Sequence, residues 1–318
     1  MRPGGTGASL PWTIDCGPVP RAARRPRRRP PSSALRVGLV QMRCGEDPAE
    51  NLRRAMAGAE EAASRGARLV CLQELFRSRY FCHRADHAAF DLAEPVPGPS
   101  TVAFARFAKK RKVVVVVPVF ERRAAGVFHN SAAVLDADGS LAGLYRKMHI
   151  PDDPGYHEKF YFSPGDLGFR AIPTAAGTVG TLICWDQWFP EAARLTALAG
   201  AAILVYPTAI GGIPADSAED HRRQADAWET VQRAHAIANG VFVAAVNRVG
   251  TEHGVRFWGG SFVCDPLGVV LARAGRGDDE VLIADLDTSR VEYARRHWPF
   301  LRDRRVDAYR GLLQRYGG

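Results

Sequence analysis

The sequence predicts an α/β fold in which apolar strands alternate with amphipathic helices. Leu35–Met42 has the alternating pattern of a strand, a helical segment follows it, and Arg68–Gln73 is again largely apolar, which makes one βαβ unit. Lys112–Phe120 contains five consecutive valines, a composition typical of a strand buried on both faces. The chain has 318 residues, 46% of them apolar, which is enough for one large core. We therefore expect a single α/β domain.

The helix of the first βαβ unit carries signals for both of its ends. Asp47 can cap its N-terminus, Pro48 suits the first turn, and Glu50 completes a capping box. Gly66 is the residue type that ends a helix. The same criteria, applied along the chain, predict strands at 130–135, 141–147, 179–183, 201–206, 241–246, 260–265, 269–274 and 281–286, and a helix at 217–238.

The N-terminal part differs in composition from the rest. Residues 1–34 are rich in Pro, Gly and Arg, with seven arginines and one aspartate, and their apolar content is too low for a core. We interpret them as a disordered extension that precedes one folded domain at 35–318. A transit peptide and a nucleic-acid-binding arm are the alternative interpretations of this extension. The extension accounts for +6 of the +9 net charge. The domain itself is therefore not basic enough to predict a nucleic-acid surface.

Cysteine spacing and hydropathy limit the class of protein further. The six cysteines lie far apart, with no Cys-x-x-Cys pair, which predicts neither a zinc site nor a disulfide framework and fits a reducing, cytoplasmic compartment. No run of about 18 uncharged apolar residues is present, so we expect no membrane span.

Cys184 occupies a position that favours chemistry. Val179–Ile183 reads as a buried strand and Phe189–Leu198 has helical spacing, which places Cys184 at a strand-to-helix junction. The positive end of a helix directed at a thiol lowers its pKa, so the sequence predicts a reactive thiolate here. The alternative is that Cys184 is only a small buried side chain, which is the common state of a free cysteine.

Two charged residues at strand ends strengthen the reactive interpretation. Glu74 follows the apolar run Leu69–Leu72, and Lys147 ends the second strand of the predicted hairpin. Because ligands bind at the carboxyl edge of open α/β sheets, these side chains and Cys184 can converge on one pocket. A carboxylate that accepts the thiol proton, a thiolate that attacks a carbonyl carbon and an ammonium that holds the oxyanion form a coherent mechanism.

Several longer sequence motifs make the family of the chain recognisable. It resembles the carbon-nitrogen hydrolases of the nitrilase superfamily, most closely the N-carbamoylputrescine amidases, from about Leu35 to the C-terminus. The resemblance rests on LQELF (72–76), RYFC (79–82), YRKMHIP (145–151), GYHEKFYFSPGD (155–166), CWDQWFPEAAR (184–194), YPTAIG (206–211) and WGGSFVCDPLG (258–268). The Glu-Lys-Cys triad of the superfamily falls on Glu74, Lys147 and Cys184. The second active-site glutamate of many members falls on Glu158.

The resemblance implies a fold and a reaction. The fold is a four-layer α-β-β-α sandwich, in which the basic, aromatic C-terminal segment packs across the interface of a homodimer or a higher homo-oligomer. The reaction is hydrolysis of a carbamoyl C–N bond through an S-carbamoyl enzyme, with Lys147 and a backbone N–H near Trp185 as oxyanion donors. It requires no metal and no organic cofactor. Hydrolysis of ω-amides or of N-carbamoyl amino acids is the alternative within the superfamily, and a non-catalytic binding scaffold is the alternative outside it.

The substrate predicted from the sequence is a small ureido or amide compound with a cationic tail. Relatives that bind a carboxylate tend to carry arginine soon after the nucleophile, whereas Trp185-Asp186-Gln187 follows Cys184 here. Asp186 attracts a cation if it faces the pocket, and it caps the following helix if it does not. Tyr80, Tyr156 and Trp185 are the other predicted substrate contacts.

Overall fold

The computed structural model describes residues 34–317, and the predicted N-terminal extension lies outside the described residues except for Ala34. Fifteen strands and five α-helices follow in chain order: β1 Ala34–Gln41, α1 Pro48–Ser64, β2 Leu69–Leu72, α2 Pro99–Arg111, β3 Val114–Ala124, β4 Val127–Leu135, β5 Leu141–Arg146, β6 Ala171–Thr174, β7 Gly177–Thr181, α3 Pro190–Leu198, β8 Ile203–Pro207, β9 Gly211–Gly212, α4 Ala218–Asn239, β10 Phe242–Val246, β11 Val249–Glu252, β12 Val255–Trp258, β13 Phe262–Cys264, β14 Val270–Arg273, β15 Glu280–Asp287 and α5 Ser289–His297.

Two six-stranded sheets form the centre of the molecule. The first has the order β15-β1-β2-β3-β4-β5, and the second has the order β14-β13-β10-β8-β7-β6. In each sheet a parallel centre, β1-β2-β3 or β10-β8-β7, is flanked by antiparallel strands. The helices α1 and α2 contact the first sheet, and α3 and α4 contact the second. The predicted four-layer α-β-β-α sandwich is confirmed.

The valine run of β3 shows how the layers share one strand. Val114 and Val116 belong to the core cluster that also contains residues of the second sheet, such as Val205. Val115 and Val117 belong to the cluster formed with α1 and α2. Successive side chains of a strand point to opposite faces, so a strand between a sheet and a helix layer must be apolar at every position. The prediction of a doubly buried strand is confirmed, and β3 continues four residues beyond Phe120.

A third, small sheet was not predicted. It has the order β11-β12-β9 and is built on a hairpin whose turn holds His253, with φ +50°, and Gly254. Each of its strands has four residues or fewer. Strands this short present too few alternating positions for a period to be read from the sequence. Arg248 and Glu252 connect this sheet to the segment 74–80, by contacts that are described below.

Candidate active site

The nucleophile candidate Cys184 lies on a tight turn between β7 and α3. The main chain leaves the sheet after Leu182, whose N–H donates to the Val205 carbonyl at 3.0 Å, and Cys184 then opens a 3₁₀ turn, Cys184–Trp188. Cys184 has φ +41°, a left-handed conformation that is uncommon for a residue with a side chain. Such strain persists only where the surroundings impose it, and it often marks a functional site. The predicted strand-to-helix junction is confirmed.

Lys147 joins two carboxylates in the interior of the protein. Its Nζ atom donates to Glu74 Oε1 at 2.9 Å and to Glu158 Oε2 at 2.6 Å. The side chains of Lys147 and Glu74 are fully buried, and that of Glu158 is 1% exposed. All three lie close enough to Cys184 for their charges to shift the pKa of its thiol. The structure thus brings together the four residues that the sequence predicted as catalytic.

Glu158 reaches this cluster from the loop between β5 and β6. It opens a short 3₁₀ turn, Glu158–Phe160, and its second oxygen, Oε1, accepts a hydrogen bond from the Tyr80 hydroxyl at 2.8 Å. A buried carboxylate is stable only where hydrogen bonds and opposite charge replace water. Tyr80 and Lys147 supply both to Glu158.

Asn130 is a member of the cluster that the sequence analysis missed. Its Nδ2 atom donates to Glu74 Oε1 at 2.7 Å and lies 3.5 Å from Glu158 Oε2, and its carbonyl accepts the Lys147 N–H at 2.8 Å. An asparagine within a predicted strand does not, by its residue type alone, indicate a role in an active site. Its position in β4, beside the end of β5 that carries Lys147, was the signal available in the predicted hairpin.

Two buried oxygens of the cluster, Glu74 Oε2 and Asn130 Oδ1, have no hydrogen-bond partner among the described residues. Glu74 Oε1 accepts bonds from both Lys147 and Asn130, whereas Glu74 Oε2 is buried and has no hydrogen-bond partner among the described residues. A buried carboxylate oxygen without a donor is costly, and such exceptions call for an explanation. A proton acceptor for the thiol is the explanation that fits this position.

The charges of the cluster stabilise one another. Burial alone would lower the pKa of Lys147, but the carboxylates of Glu158 and Glu74 outweigh burial and hold that pKa well above its ordinary value. Burial raises the pKa of Glu158, which the Lys147 ammonium opposes and the Glu74 carboxylate reinforces. The two carboxylates therefore favour the ammonium form of Lys147.

The surroundings of Cys184 raise the pKa of its thiol rather than lower it, which corrects the sequence-based prediction. Burial raises the pKa of the Cys184 thiol well above its ordinary value, and the Glu74 carboxylate adds to that shift. Lys147 and the backbone N–H of Ala209 act in the opposite direction but are weaker. The turn that Cys184 opens is only five residues long, so its dipole is small against burial and a nearby anion. The thiol therefore needs a base at the moment of attack.

Asp186 does not face a substrate, and this also corrects the sequence-based interpretation. Its Oδ2 atom accepts from the Tyr145 hydroxyl at 2.7 Å and from the Ile183 N–H at 2.9 Å. Its Oδ1 atom lies 2.7 Å from His149 Nδ1 and accepts the His149 N–H at 3.1 Å. With both oxygens engaged and no exposed surface, the carboxylate ties the nucleophile turn to the segment that carries Lys147. The alternative of a local cap was closer to the structure.

The three predicted aromatic contacts have different surroundings. The Tyr80 hydroxyl serves Glu158, and the Tyr156 hydroxyl both accepts the Gly211 N–H at 2.9 Å and donates to the Gly211 carbonyl at 2.8 Å. The two tyrosine rings lie 5.5 Å apart between centroids. Trp185 is half-buried directly after the nucleophile. Ring faces of Tyr156 and Trp185, rather than hydroxyl groups, are therefore what this region can offer to a ligand.

Helix α4 supports the nucleophile turn from behind. Gln187 accepts a hydrogen bond from Trp228 Nε1 at 2.8 Å through its side-chain oxygen, and its carbonyl lies 2.8 Å from His235 Nε2. His235 is buried, and burial lowers its pKa. His235 is therefore a core histidine whose ring nitrogen is engaged by the main chain of the turn.

None of the helices within residues 34–317 is both long and apolar enough to cross a bilayer. Nor does any group of three or more His, Cys, Asp and Glu side chains in the range form a candidate metal site.

Comparison with known proteins identifies the family. Residues 36–296 match the family model for carbon-nitrogen hydrolases. The chain is 45% identical to the N-carbamoylputrescine amidase of Oryza sativa subsp. japonica, over 88% of this chain and 95% of that protein. It is 40% identical to the citrullinase of Francisella tularensis subsp. tularensis (strain SCHU S4 / Schu 4), over 89% of this chain and 99% of that protein.

A solved structure agrees with the sequence comparisons. The crystal structure of a carbon-nitrogen hydrolase from Helicobacter pylori G27 superposes with a TM-score of 0.87 and 48% identity, over 89% of this chain and all of that chain. The matched region contains both large sheets and every residue of the cluster around Lys147. The chain therefore belongs to the carbon-nitrogen hydrolase family of the nitrilase superfamily, and it is an amidase of non-peptide C–N bonds.

Proposed function

We propose that this amidase hydrolyses N-carbamoylputrescine to putrescine, carbon dioxide and ammonia, with Cys184 as the nucleophile. The observation that supports the reaction is the buried ammonium of Lys147 between two carboxylates, beside a protonated thiol and the unpaired Glu74 Oε2. The similarity to N-carbamoylputrescine amidases supports the choice of substrate.

Attack begins with a proton transfer. Glu74 Oε2 takes the proton of the Cys184 thiol while Sγ forms a bond to the carbamoyl carbon, and the carbonyl π electrons move to oxygen. The Lys147 ammonium and the Trp185 N–H hold that oxyanion. The N–H lies at the start of the 3₁₀ turn, where backbone donors lack a partner within the helix. One such donor is typically worth about 3 kcal/mol of barrier, and a urea-type carbon needs this because it is a poor electrophile.

Collapse and hydrolysis complete the cycle. The C–N bond to putrescine breaks as the proton on Glu74 passes to the leaving amine, which leaves an S-carbamoyl enzyme. Glu74 then removes a proton from water, the hydroxide displaces Sγ, and Sγ takes that proton back from Glu74 to restore the thiol. The carbamic acid released decomposes to carbon dioxide and ammonia. Glu158 keeps Lys147 in place throughout, because its Oε2 atom accepts a hydrogen bond from the ammonium at 2.6 Å.

The arginines of the protein bear on the charge of the substrate tail. Arg248 is buried beside the segment that follows Glu74, and its N–H groups bond Glu252 and backbone carbonyls. Arg194, the first arginine after the nucleophile, has the C-terminal Arg304 and Tyr309 as its charged or titratable neighbours. The sequence after Cys184, which has no arginine before Arg194, favours an amine tail, whereas Arg222, Arg256 and Arg276 line a cavity beside β12 and could bind a carboxylate.

We predict at least about tenfold higher kcat/KM for N-carbamoylputrescine than for N-carbamoyl amino acids, which requires only ~1.4 kcal/mol of discrimination. Citrulline is the sharpest comparison, because it differs from N-carbamoylputrescine by one carboxylate. Ammonia release from both compounds, from N-carbamoyl-β-alanine and from an ω-amide gives the measurement. Equal or faster turnover of citrulline, N-carbamoyl-β-alanine or the ω-amide would reject the proposed substrate and leave the amidase class intact.

Citrulline hydrolysis is the second candidate function. It is supported by the 40% identity to a citrullinase over nearly the full length of that protein. The two candidates share the ureido group and the same attack by Cys184. They differ in whether a carboxylate is accepted at the far end, so the substrate panel separates them directly.

We also propose that the protein forms a homodimer or a higher homo-oligomer through its C-terminal segment. Leu313 and Tyr316 are 91% and 87% exposed, and Trp298 and Leu312 are more than half exposed. On α3, Leu195 and Leu198 are exposed as well. Contiguous exposed apolar side chains of this kind are typical of protein interfaces.

Light scattering coupled to gel filtration tests this assembly. We expect the wild type to elute at twice the chain mass or more, and Leu313→Glu to shift it toward the monomer because a charge would be buried in the interface. Val269→Glu is the matched control, since Val269 is 55% exposed outside this segment. A monomeric wild type would contradict the proposal.

The proposed location is the cytoplasm. The cysteines at 44, 71, 82, 184 and 264 are all free and buried, which is the state that a reducing compartment maintains. The proposed partners are small ureido or amide substrates and further copies of the chain, without nucleic acid or membrane.

A further inference from the structure

The small sheet carries a buried ion pair that the proposed mechanism does not use. Arg248, immediately before β11, is fully buried, and Glu252, at the end of β11, is 4% exposed. Arg248 Nη1 lies 3.0 and 2.9 Å from the two carboxylate oxygens of Glu252. The guanidinium carbon lies 5.4 Å from the centre of the Phe257 ring, on β12. Contacts within the hairpin, from Arg248 to Glu252 and to the Phe257 ring, therefore hold the guanidinium in place.

Arg248 holds the main chain that follows the predicted base. Its Nη2 atom donates to the carbonyls of Glu74 at 3.1 Å and of Leu75 at 2.8 Å, and its Nη1 atom donates to the Ser78 carbonyl at 3.0 Å. Leu75 has φ +47°, so the chain turns sharply at this point in a conformation that a leucine rarely adopts. Three carbonyls directed at one guanidinium impose that turn and thereby set where the Glu74 side chain begins.

Glu252 holds the next part of the same loop. Its Oε2 atom accepts the Tyr80 N–H at 2.6 Å, in addition to its bonds from Arg248. The hydroxyl of Tyr80 donates to Glu158, as described above. A continuous chain of hydrogen bonds therefore runs from Arg248 through Glu252 and Tyr80 to Glu158, while Arg248 itself also bonds the backbone of Glu74.

We propose that Arg248 and Glu252 are positioning residues that align Glu74 and Glu158 on either side of Lys147. This inference rests on the proposed function, because it gives Glu74 the role of base and Glu158 that of the second support of Lys147. Neither residue of the pair is given a contact with the substrate. A buried ion pair contributes little net stability, since the desolvation of its charges offsets their attraction. Its effect here is geometric, in a reaction where a displacement of 1 Å can cost about 100-fold in rate.

The pair should also influence how the site titrates. The charged or titratable groups that face Glu158 are Lys147, Glu74 and Tyr80, with the thiols of Cys82 and Cys184 nearby. The hydrogen bond from Tyr80 lowers the pKa of Glu158, against the stronger effect of burial. If Tyr80 loses its support, that pKa rises. Activity that requires the Glu158 carboxylate is then lost at a higher pH as the solution is acidified.

The experiment combines Glu252→Gln with Tyr80→Phe in the full-length chain. For Glu252→Gln we expect kcat to fall about 10- to 100-fold, KM to change less than threefold, and the acidic limb of the kcat/KM profile to move to higher pH. In the Tyr80→Phe background, adding Glu252→Gln should not move the acidic limb further, because the hydroxyl through which Glu252 acts is gone. Arg248→Lys should reproduce the fall in kcat, since one ammonium cannot bond three carbonyls and Glu252 together.

The control is Asp265→Asn. Asp265 is a buried carboxylate that accepts two backbone N–H groups and lies 3.3 Å from Arg290, at the opposite end of the second sheet. We expect it to lower the melting temperature, as Glu252→Gln does, and to leave kcat and the acidic limb unchanged. Additive limb shifts in the double variant, or a Glu252→Gln enzyme with wild-type kcat and profile, would overturn the inference.

Misfolding of a variant and failure of the proposed function can both be distinguished from failure of this inference. If Glu252→Gln does not fold, the kcat and profile of Arg248→Lys decide the question alone. Failure of the proposed function is separate, because it would appear as an inactive wild type or an active Cys184→Ala enzyme.

Discussion

Replacing Cys184 by alanine should abolish turnover and leave the fold intact. We expect a loss of about 10⁵-fold or more in kcat, the scale seen when a nucleophile is removed from a catalytic unit. The buried thiol is small and its removal leaves only a small cavity, so the melting temperature should change by a few degrees at most. Steady-state ammonia release and thermal unfolding are the two measurements.

Covalent labelling places the nucleophile independently of kinetics. A haloacetamide that mimics the substrate amide should add one acetamide group to the wild type and none to Cys184→Ala, as read by intact-protein mass spectrometry. Cys264→Ala, which removes another buried thiol on β13, should be labelled and active like the wild type. Labelling at Cys71 or Cys82 would reject Cys184 as the nucleophile.

Replacing Glu74 by glutamine should lower kcat by about 10³- to 10⁴-fold, which is comparable to the upper range for a positioned general base. The amide cannot accept the thiol proton, and the thiol has a pKa too high to ionise unaided near neutrality. Lys147→Ala should have a comparable effect, because it removes the oxyanion donor and leaves two buried carboxylates without their shared cation. Single-turnover kinetics with the preferred substrate measure both variants.

The residual activity of Glu74→Gln should depend on pH in a characteristic way. Without the base, only enzyme whose thiol has already ionised can attack, so the rate should rise steadily with pH above neutrality. The wild type should instead be nearly flat over the same range, since Glu74 removes the proton during attack. Glu94→Gln is the matched control, a buried glutamate that accepts the Ser100 N–H and has no bond to the cluster. A flat profile in Glu74→Gln would show that another group is the base.

Sequence was sufficient for the residues that stand at strand ends. Glu74, Lys147 and Cys184 each follow a recognisable strand, although β2 and β5 belong to the first sheet, β7 belongs to the second, and β5 pairs antiparallel with β4. Sequence was insufficient for Asn130, whose role depends on which strand pairs with β5, and for Arg248, whose partners lie 170 to 174 residues away. Contacts of that span are fixed by tertiary packing and have no local pattern.

The pKa of the Cys184 thiol and the role of Asp186 both differ from what a position near a helix start predicts, and for the same physical reason. In the structure, burial and distant partners decide both: Glu74 acts on the thiol, and Tyr145 and His149 occupy the Asp186 carboxylate. Local charge rules assume a solvated terminus, and this turn lies inside the protein instead.

The protonated state of Cys184 also bears on how the enzyme survives oxidants. Peroxide attacks thiolates far faster than thiols, and buried neutral cysteines are inert. Burial raises the pKa of all five described cysteines, to about 11 for Cys44 and about 12 for Cys264. We therefore expect peroxide to oxidise Cys184 slowly in the absence of substrate, because burial and the Glu74 carboxylate raise the pKa of its thiol.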